Sequence, residues 1–295
     1  MNDDRLYQLH ANAVKNFEEG PQFNWALNFD CEAQDLRKLE ITDVVEAAKG
    51  WRSEVRPPEY YFTHAEYYTD GVKHIINELK EKPTSNRALY SLIAQKDIRN
   101  SGDTPIPSFM TLQCQIDKDV LYCTCYFRAL EVSRFLKINL EEIRQTLVEI
   151  YEGVPQFTKV HLTIFAFRAY NDQGRLPLRR PQIEILTDVQ LVALLLKPHS
   201  NPIQILRNML EELRGAITAV SSEKLKALKD ILSNNDLQTP TWVQKPLFIN
   251  QLDQAITATT NLANLRKKGS HGPGVDEATQ SYQRAIKVLC DNLDN

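Results

Sequence analysis

Met110-Thr-Leu-Gln-Cys-Gln-Ile-Asp-Lys-Asp-Val-Leu-Tyr-Cys-Thr-Cys-Tyr-Phe127 carries the pattern that decides the fold. Two runs of alternating apolar and polar residues, 109–116 and 120–127, flank the short polar segment Asp117-Lys118-Asp119 and predict a β-hairpin. Chemistry-bearing residues surround it. Lys82-Pro-Thr-Ser-Asn-Arg87 lies upstream, Pro107-Ser108-Phe109 leads into the first strand, Arg128-Ala-Leu-Glu131 closes the second, and Asn139 follows.

Working outward, residues 1 to 20 suggest a helix ending at Gly20-Pro21, and the alternation in Phe23-Asn-Trp-Ala-Leu-Asn-Phe29 predicts a strand. Residues 35 to 49 read as a helix that stops at Gly50. Asp70 to Lys82 places Val72, Ile75, Ile76 and Leu79 on one face before Pro83, an amphipathic helix. A helix is expected over Leu140 to Tyr151. Val160 to Phe167, dense in apolar and β-branched residues, predicts a central strand, and Ile183 to Leu186 a further strand beyond Pro181. After Pro198 the composition becomes helical: Pro202 to Leu232 carries Leu206, Met209, Leu210, Leu213 and Ile217 on one stripe, and Asn250 to Leu265 and Glu277 to Leu293 form a helix pair. The organisation expected is a core over residues 1–200 and a helical region over 201–295.

At 295 residues the chain is long enough for one large core with an appendage. A net charge of -3 with interspersed signs gives no strong nucleic-acid signal. Neither a signal-peptide pattern nor an apolar run of about 18 residues is present, so a soluble, cytoplasmic protein without membrane attachment is expected. Five cysteines without a metal-ligand spacing read as reduced thiols, and no metal or cofactor is expected.

Arg128 at a strand end offers five donors in a planar fork suited to phosphate, with Arg87 as the second clamp, although either arginine could instead meet a carboxylate. Gln113 alternates with Thr111 and Gln115 on a polar face that could line a cavity. Asn139 reads two ways: as the cap of a helix from Leu140, with Glu142 completing a capping box, or as an amide reading a base edge.

In order and spacing these pieces resemble the thymidylate synthase family, which includes the pyrimidine nucleotide hydroxymethylases. Ser85-Asn86-Arg87 follows a helix where the family has Ser-Arg-Arg; Pro107-Ser108-Phe109 stands where it has Pro-Cys-His, with Gln113 at the matching distance. Cys123-Thr-Cys-Tyr-Phe-Arg128-Ala129-Leu130-Glu131 corresponds to its Arg-bearing strand end, Asn139 falls on its asparagine, and Arg168-Ala169-Tyr170 on its His-Ile-Tyr. The resemblance implies an α+β fold, a thymidylate-synthase-like mixed β-sheet core with flanking helices and a C-terminal helical extension. It implies a pyrimidine nucleoside monophosphate held by Arg128 and by Arg87 from across a homodimer interface formed by sheets packed back to back. Ser108 and Gln113 would line the pocket, Glu131 would lie near the base, and Asn139 and Tyr170 would contact base and sugar.

The departures bear on chemistry. C5 transfer requires a thiolate at C6 of the pyrimidine; Ser108 has no comparable anion fraction and Phe109 supplies no base. No catalytic residue is therefore assigned, and a noncatalytic or chemically altered nucleotide-binding protein is expected. The alternative is an active pyrimidine nucleotide C5-methyltransferase or hydroxymethylase using Cys114 or Cys123. In the tail, Leu265, Arg266, Gly269, His271 and Gly272 resemble the turn in the C-terminal helical domain of bacterial abortive-infection proteins. That resemblance implies a prokaryotic antiviral defence setting, with a sensor or scaffold role and a partner protein from the same system.

Overall fold

The computed structural model describes residues 3–100, 105–172, 179–196, 202–234, 245–269 and 272–293, and these fall into two compact units. The first comes from within Met1–Pro57, Phe62–Asn100 and Ile106–Pro177, the second from within Pro58–Tyr61, Ser101–Pro105 and Leu178–Asn295.

The first unit contains helices α1 (Arg5–Lys15), α2 (Val45–Trp51), α3 (Ala65–Tyr68), α4 (Gly71–Glu81), α5 (Gln95–Asn100) and α6 (Phe135–Gly153). Its strands are β1 (Gln22–Glu32), β2 (Leu89–Ser91), β3 (Phe109–Asp117), β4 (Val120–Phe127), β5 (Leu130–Glu131) and β6 (Lys159–Tyr170). They form one six-stranded mixed sheet in the order β1-β6-β4-β3-β2, with β5 pairing β6. The predicted hairpin is present: β3 and β4 pair antiparallel around Lys118, whose positive φ of 56° makes the turn. β4 and β6 run parallel, so the chain must cross over between them, and α6 is that crossover. Leu136, Leu140, Ile143, Leu147 and Ile150 project from one side of α6 into a core completed by Leu112, Cys114, Leu121, Cys123, Cys125, Leu162 and Ile164 of the sheet. Alternation sends the other side chains to the opposite face, where Phe23, Tyr122 and Phe167 are exposed.

The expected helix over 35–49 is mostly absent. Ala33–Asp35 forms a 3-10 turn and only Val45–Trp51 is helical, so Gly50 lies inside the helix instead of ending it. The intervening backbone is satisfied from α6: the Ile41 N–H donates to Glu141 Oε2 at 3.0 Å, and Arg144 Nη1 donates to the Leu36 carbonyl at 3.1 Å. Arg144 and Glu141 also bind each other in a bidentate pair at 2.6 and 2.8 Å, all of it buried. Once tertiary groups fill the backbone valences, the helix is not needed to do so.

Close approach of α4 to β2 requires Gly71. A Cβ there would stand 2.6 Å from Tyr90 Cβ. Gly71→Ala is expected to destabilise the protein by about 1–2 kcal/mol through overpacking, whereas Gly274→Ala, in open space, should be neutral or slightly stabilising. Urea denaturation of the two variants checks the contrast.

The second unit is helical: α7 (Gln182–Ile185), α8 (Asp188–Leu196), α9 (Pro202–Gly215), α10 (Glu223–Ser233), α11 (Lys245–Arg266) and α12 (Pro273–Asp291). The strand expected over Ile183–Leu186 is instead a helical turn. Four residues cannot separate the two periods, and Ile183 buries in the helical apolar cluster while Glu212 Oε2 accepts the Gln182 N–H at 2.9 Å. The single stripe read over 202–232 belongs to two helices divided after Gly215. Ile183, Leu191 and Leu195 share this apolar cluster with α9 to α12. Residues 58–61, far upstream in sequence, also belong here: Tyr60 bridges Arg179, the Arg180 N–H donates to the Glu59 carbonyl at 2.8 Å, and the Tyr61 hydroxyl donates to Glu184 Oε2 at 3.4 Å.

Candidate functional site

The sheet brings four of the seven candidate residues to one end. Arg128 follows β4, Glu131 pairs with Tyr170 across β5 and β6, and Ser108 precedes β3, its carbonyl accepting the Arg128 N–H at 2.9 Å. The Arg128 guanidinium donates through Nε to the Pro107 carbonyl at 3.2 Å and through Nη2 to the Ile106 carbonyl at 3.0 Å. It has no carboxylate partner among the described residues, and the loss of water around it lowers its pKa, an effect partly opposed by nearby Tyr170. Two of five donors are thus committed to holding the chain before β3, and the rest remain for a ligand. Arg168 lies over the Tyr170 ring at 4.8 Å, adding a second cation at this end.

Arg87 and Gln113 lie elsewhere. Leu89 stands opposite Gln113, so Arg87 lies near the level of Gln115, about seven residues along β3 from Ser108 and on the order of 20 Å away. Within one chain the two arginines do not form a clamp. Exposed Arg87 is fixed through its backbone, its N–H donating to Ser85 Oγ at 3.1 Å and its carbonyl accepting from His74 Nε2 at 2.9 Å. Gln113 projects from the sheet face opposite Cys114 and Leu112, and its Nε2 donates to the Asn86 carbonyl at 3.0 Å.

Glu131 and Asn139 require correction of the expected helix start. The helix begins at Phe135, four residues before Asn139, which therefore is not its cap and makes no capping box with Glu142. The carboxylate of Glu131 does the capping. It is 2% exposed and accepts the N–H groups of Ser133, Arg134, Phe135 and Asp172 at 2.7 to 3.2 Å, together with the Ser133 hydroxyl. These bonds satisfy the donors that a helix N-terminus leaves open. Asn139, 4% exposed, donates from Nδ2 to the Phe135 carbonyl at 2.7 Å, while its buried Oδ1 has no hydrogen-bond partner among the described residues.

Phe109, the residue after Ser108, turns its ring into the core. Its ring stacks on Phe127 with centroids 4.6 Å apart and planes 13° apart, both residues being 1% exposed. His64 meets the same ring edge-on at 5.8 Å. The His64 imidazole receives both oxygens of Glu142 at Nδ1, at 2.8 and 2.9 Å, and is walled by Trp51 and Phe62. Its Nε2 forms no hydrogen bond among the described residues. The Glu142 carboxylate fixes the orientation of the imidazole ring. Sequence reasoning placed Glu142 in a capping box; nothing local signals its pairing with His64 across 78 residues.

All five cysteines are free and buried. Burial pushes the Cys31 and Cys290 thiols up to about 12. Cys114, Cys123 and Cys125 lie side by side on the core face; hydrogen bonding with Cys123 raises Cys114, burial raises Cys125, and the hydrogen bonds from Cys114 and then Cys125 make Cys123 the most acidic of the three. On the open face, His161 Nδ1 pairs with Asp30 Oδ1 at 2.6 Å, and Thr163 donates to Asn28 Oδ1 at 2.8 Å.

The helical unit holds a separate titratable group. Burial raises Glu184 to about 7, partly opposed by Arg180; its Oε1 is buried without a partner among the described residues, and Tyr61 and Tyr282 stand close enough to feel its charge. The Tyr282 hydroxyl donates to the Leu213 carbonyl. His271, in the turn read from the tail, lies outside the described residues. Gly272, with φ 127°, leads into α12. No three His, Cys, Asp or Glu residues are placed to hold a metal among the described residues, and no helix of theirs is long and apolar enough to cross a membrane. No known protein-family model matches the chain, and no curated protein does either.

Proposed function

We propose that the first unit is a thymidylate-synthase-like fold that binds a pyrimidine nucleoside monophosphate without carrying out C5 transfer. The observation that carries the binding part of this reading is Arg128, whose guanidinium spends two donors on the chain before β3 and keeps the others; the stacked, buried pair Phe109 and Phe127 next to Ser108 favours a scaffold role over catalysis. With a serine at the nucleophile position, no base next to it in the chain, and every cysteine buried in the core, no thiolate reaches C6 of a bound pyrimidine. Arg128 with its uncommitted donors, the adjacent Tyr170 and the nearby Arg168 supply the phosphate and sugar end of the site. Asn139 Oδ1, buried and without a hydrogen-bond partner among the described residues, is the acceptor that this reading assigns to the base.

Arg87 serves this site only from a second copy, because the strand register holds it far from Arg128 in its own chain. The exposed sheet face with Phe23, Tyr122 and Phe167 is the surface on which two copies would pack. The resulting homodimer, cytoplasmic and associated with a partner protein of an anti-phage defence system, would act as a sensor or scaffold, with the tail's likeness to abortive-infection domains supporting the setting.

Calorimetry against deoxyuridylate, deoxycytidylate and thymidylate tests the reading. At least one is expected to bind, and Arg128→Ala to weaken that binding by about tenfold or more through loss of charge-assisted hydrogen bonds. Tritium release from C5-labelled deoxyuridylate or deoxycytidylate is expected to stay at background. Binding by none of the three, or binding indifferent to Arg128→Ala, defeats the proposal; robust release lost on substitution of Cys114 or Cys123 establishes the active enzyme instead.

A further inference from the structure

The strand register sets Cys114 of β3 directly opposite Cys123 of β4. Which kind of pair this is follows from the backbone. The Cys114 N–H donates to the Ala88 carbonyl on the β2 side at 2.8 Å, so Cys114 turns its backbone groups away from β4, and the pair with Cys123 is a non-hydrogen-bonded one. Such pairs bring Cα atoms to about 4.5 Å, with side chains on one face. A disulfide spans Cα separations of about 4.4 to 6.8 Å. The thiols of Cys114 and Cys123 lie on the core face close enough to shift one another's acidity, and Cys125, two residues on and on the same face, also acts on Cys123.

We infer that Cys114 and Cys123 form an internal dithiol that closes to a disulfide across the β3–β4 hairpin, with Cys123 as the attacking sulfur. With a hydroperoxide as oxidant, the Cys123 sulfur attacks the O–O bond, taking one oxygen as S–OH and expelling hydroxide. Cys114 sulfur then attacks that sulfur, the S–OH bond breaks, and the leaving hydroxide takes the Cys114 proton as water. Two thiols lose two electrons and two protons in all, and hydrogen peroxide becomes two waters. Cys123 suits the first step because it stands between Cys114, opposite it in the hairpin, and Cys125, two residues on, neighbours that favour its thiolate while their own thiols stay protonated. Cys125 is the poorer partner for Cys123, since residues i and i+2 of one extended strand lie about 6.5 Å or more apart. Closure fixes the hairpin whose upper end carries Ser108 and Arg128, yet it breaks no hydrogen bond of the sheet. The inference does not depend on the nucleotide reading.

Exposing the folded protein to hydrogen peroxide, then denaturing and alkylating it, counts the remaining thiols by intact mass. The expected fall is from five alkylated cysteines to three, the two lost being Cys114 and Cys123. Trypsin cuts after Lys118 and separates the two, so the bridge appears as peptide 100–118 joined to peptide 119–128. Cys125→Ser should retain that joined pair, and Cys123→Ser should abolish it. Five alkylated thiols after an exposure that oxidises the urea-unfolded chain, or a bridge that survives Cys123→Ser, overturns the inference; the wild-type count stands whether or not either variant folds.

Discussion

Glu131→Ala is expected to lower the stability of the first unit by about 3 kcal/mol, because it leaves several buried donors without acceptors. The carboxylate takes four backbone N–H groups and one hydroxyl, three of those N–H groups being at or just before the first turn of α6. A conventional N-cap lost to alanine costs about 1 kcal/mol. Here the charge also faces the positive end of the helix dipole, and the Asp172 N–H, just beyond β6, depends on the same oxygen as Ser133. Glu131→Gln should fall between the two, keeping an acceptor but turning an amine toward donors. Trp51 stacks on Phe135, the first residue of α6, at 5.9 Å, so tryptophan fluorescence during urea unfolding reports on the segment concerned. A residue whose task was to contact a nucleotide would lose binding with little change in stability. A measured loss under about 1 kcal/mol, with nucleotide binding gone, would return Glu131 to the ligand and remove it from the helix.

A second large effect is expected from Glu184, and it depends on pH. The folded unit holds this carboxyl at about 7 against an ordinary value of 4.5, chiefly because burial penalises its charge, with Glu223 adding to the rise and Arg180 and the Tyr61 hydroxyl opposing it. A raised carboxyl pKa means that the folded state binds the proton more tightly than the unfolded state does. Stability is therefore greatest below 4.5, falls as pH rises toward 7, and levels off above. The full shift corresponds to about 3 kcal/mol, reduced to about 2 kcal/mol by solvent screening at a site that water partly reaches. Glu184→Gln cannot ionise. Its stability relative to wild type should improve by about 2 kcal/mol between about pH 4 and about pH 8, measured by thermal or urea unfolding of the helical unit. Parallel stability profiles for the two proteins would show that Glu184 keeps its ordinary acidity.

Where a segment's backbone was satisfied locally, its structure could be read from the chain. The hairpin at Asp117-Lys118-Asp119, the helix ahead of Pro83 and the central strand from Val160 all rest on periodicity and turn residues alone. Residues 36–44 could not be read that way, since Glu141 and Arg144, about a hundred positions later, supply their hydrogen bonds. Asn139 with Glu142 imitated a capping box because the real cap, Glu131, stands four residues outside the helix and folds back onto it. Of the residues that the family resemblance gathers into a site, Arg128, Tyr170, Ser108 and Glu131 lie at one end of the sheet, and Arg87 and Gln113 lie elsewhere. Their placement depends on strand register, and a pattern of alternating residues fixes which face a side chain takes without fixing the partner opposite it. The His64 and Glu142 pair was illegible for the same reason as the loop at 36–44, its halves being distant in sequence.

The segment Pro58–Tyr61 reaches the helical unit from the first fifth of the chain and supplies it with the Tyr60 bridge and the Tyr61 hydroxyl. A helical module gained whole by fusion of one gene to the end of another would bring its own contacts in one uninterrupted stretch. This one is completed by residues encoded ahead of most of the sheet. Residues 179–295 expressed alone would therefore lack the Tyr60 bridge to Arg179 and the Tyr61 hydroxyl on Glu184.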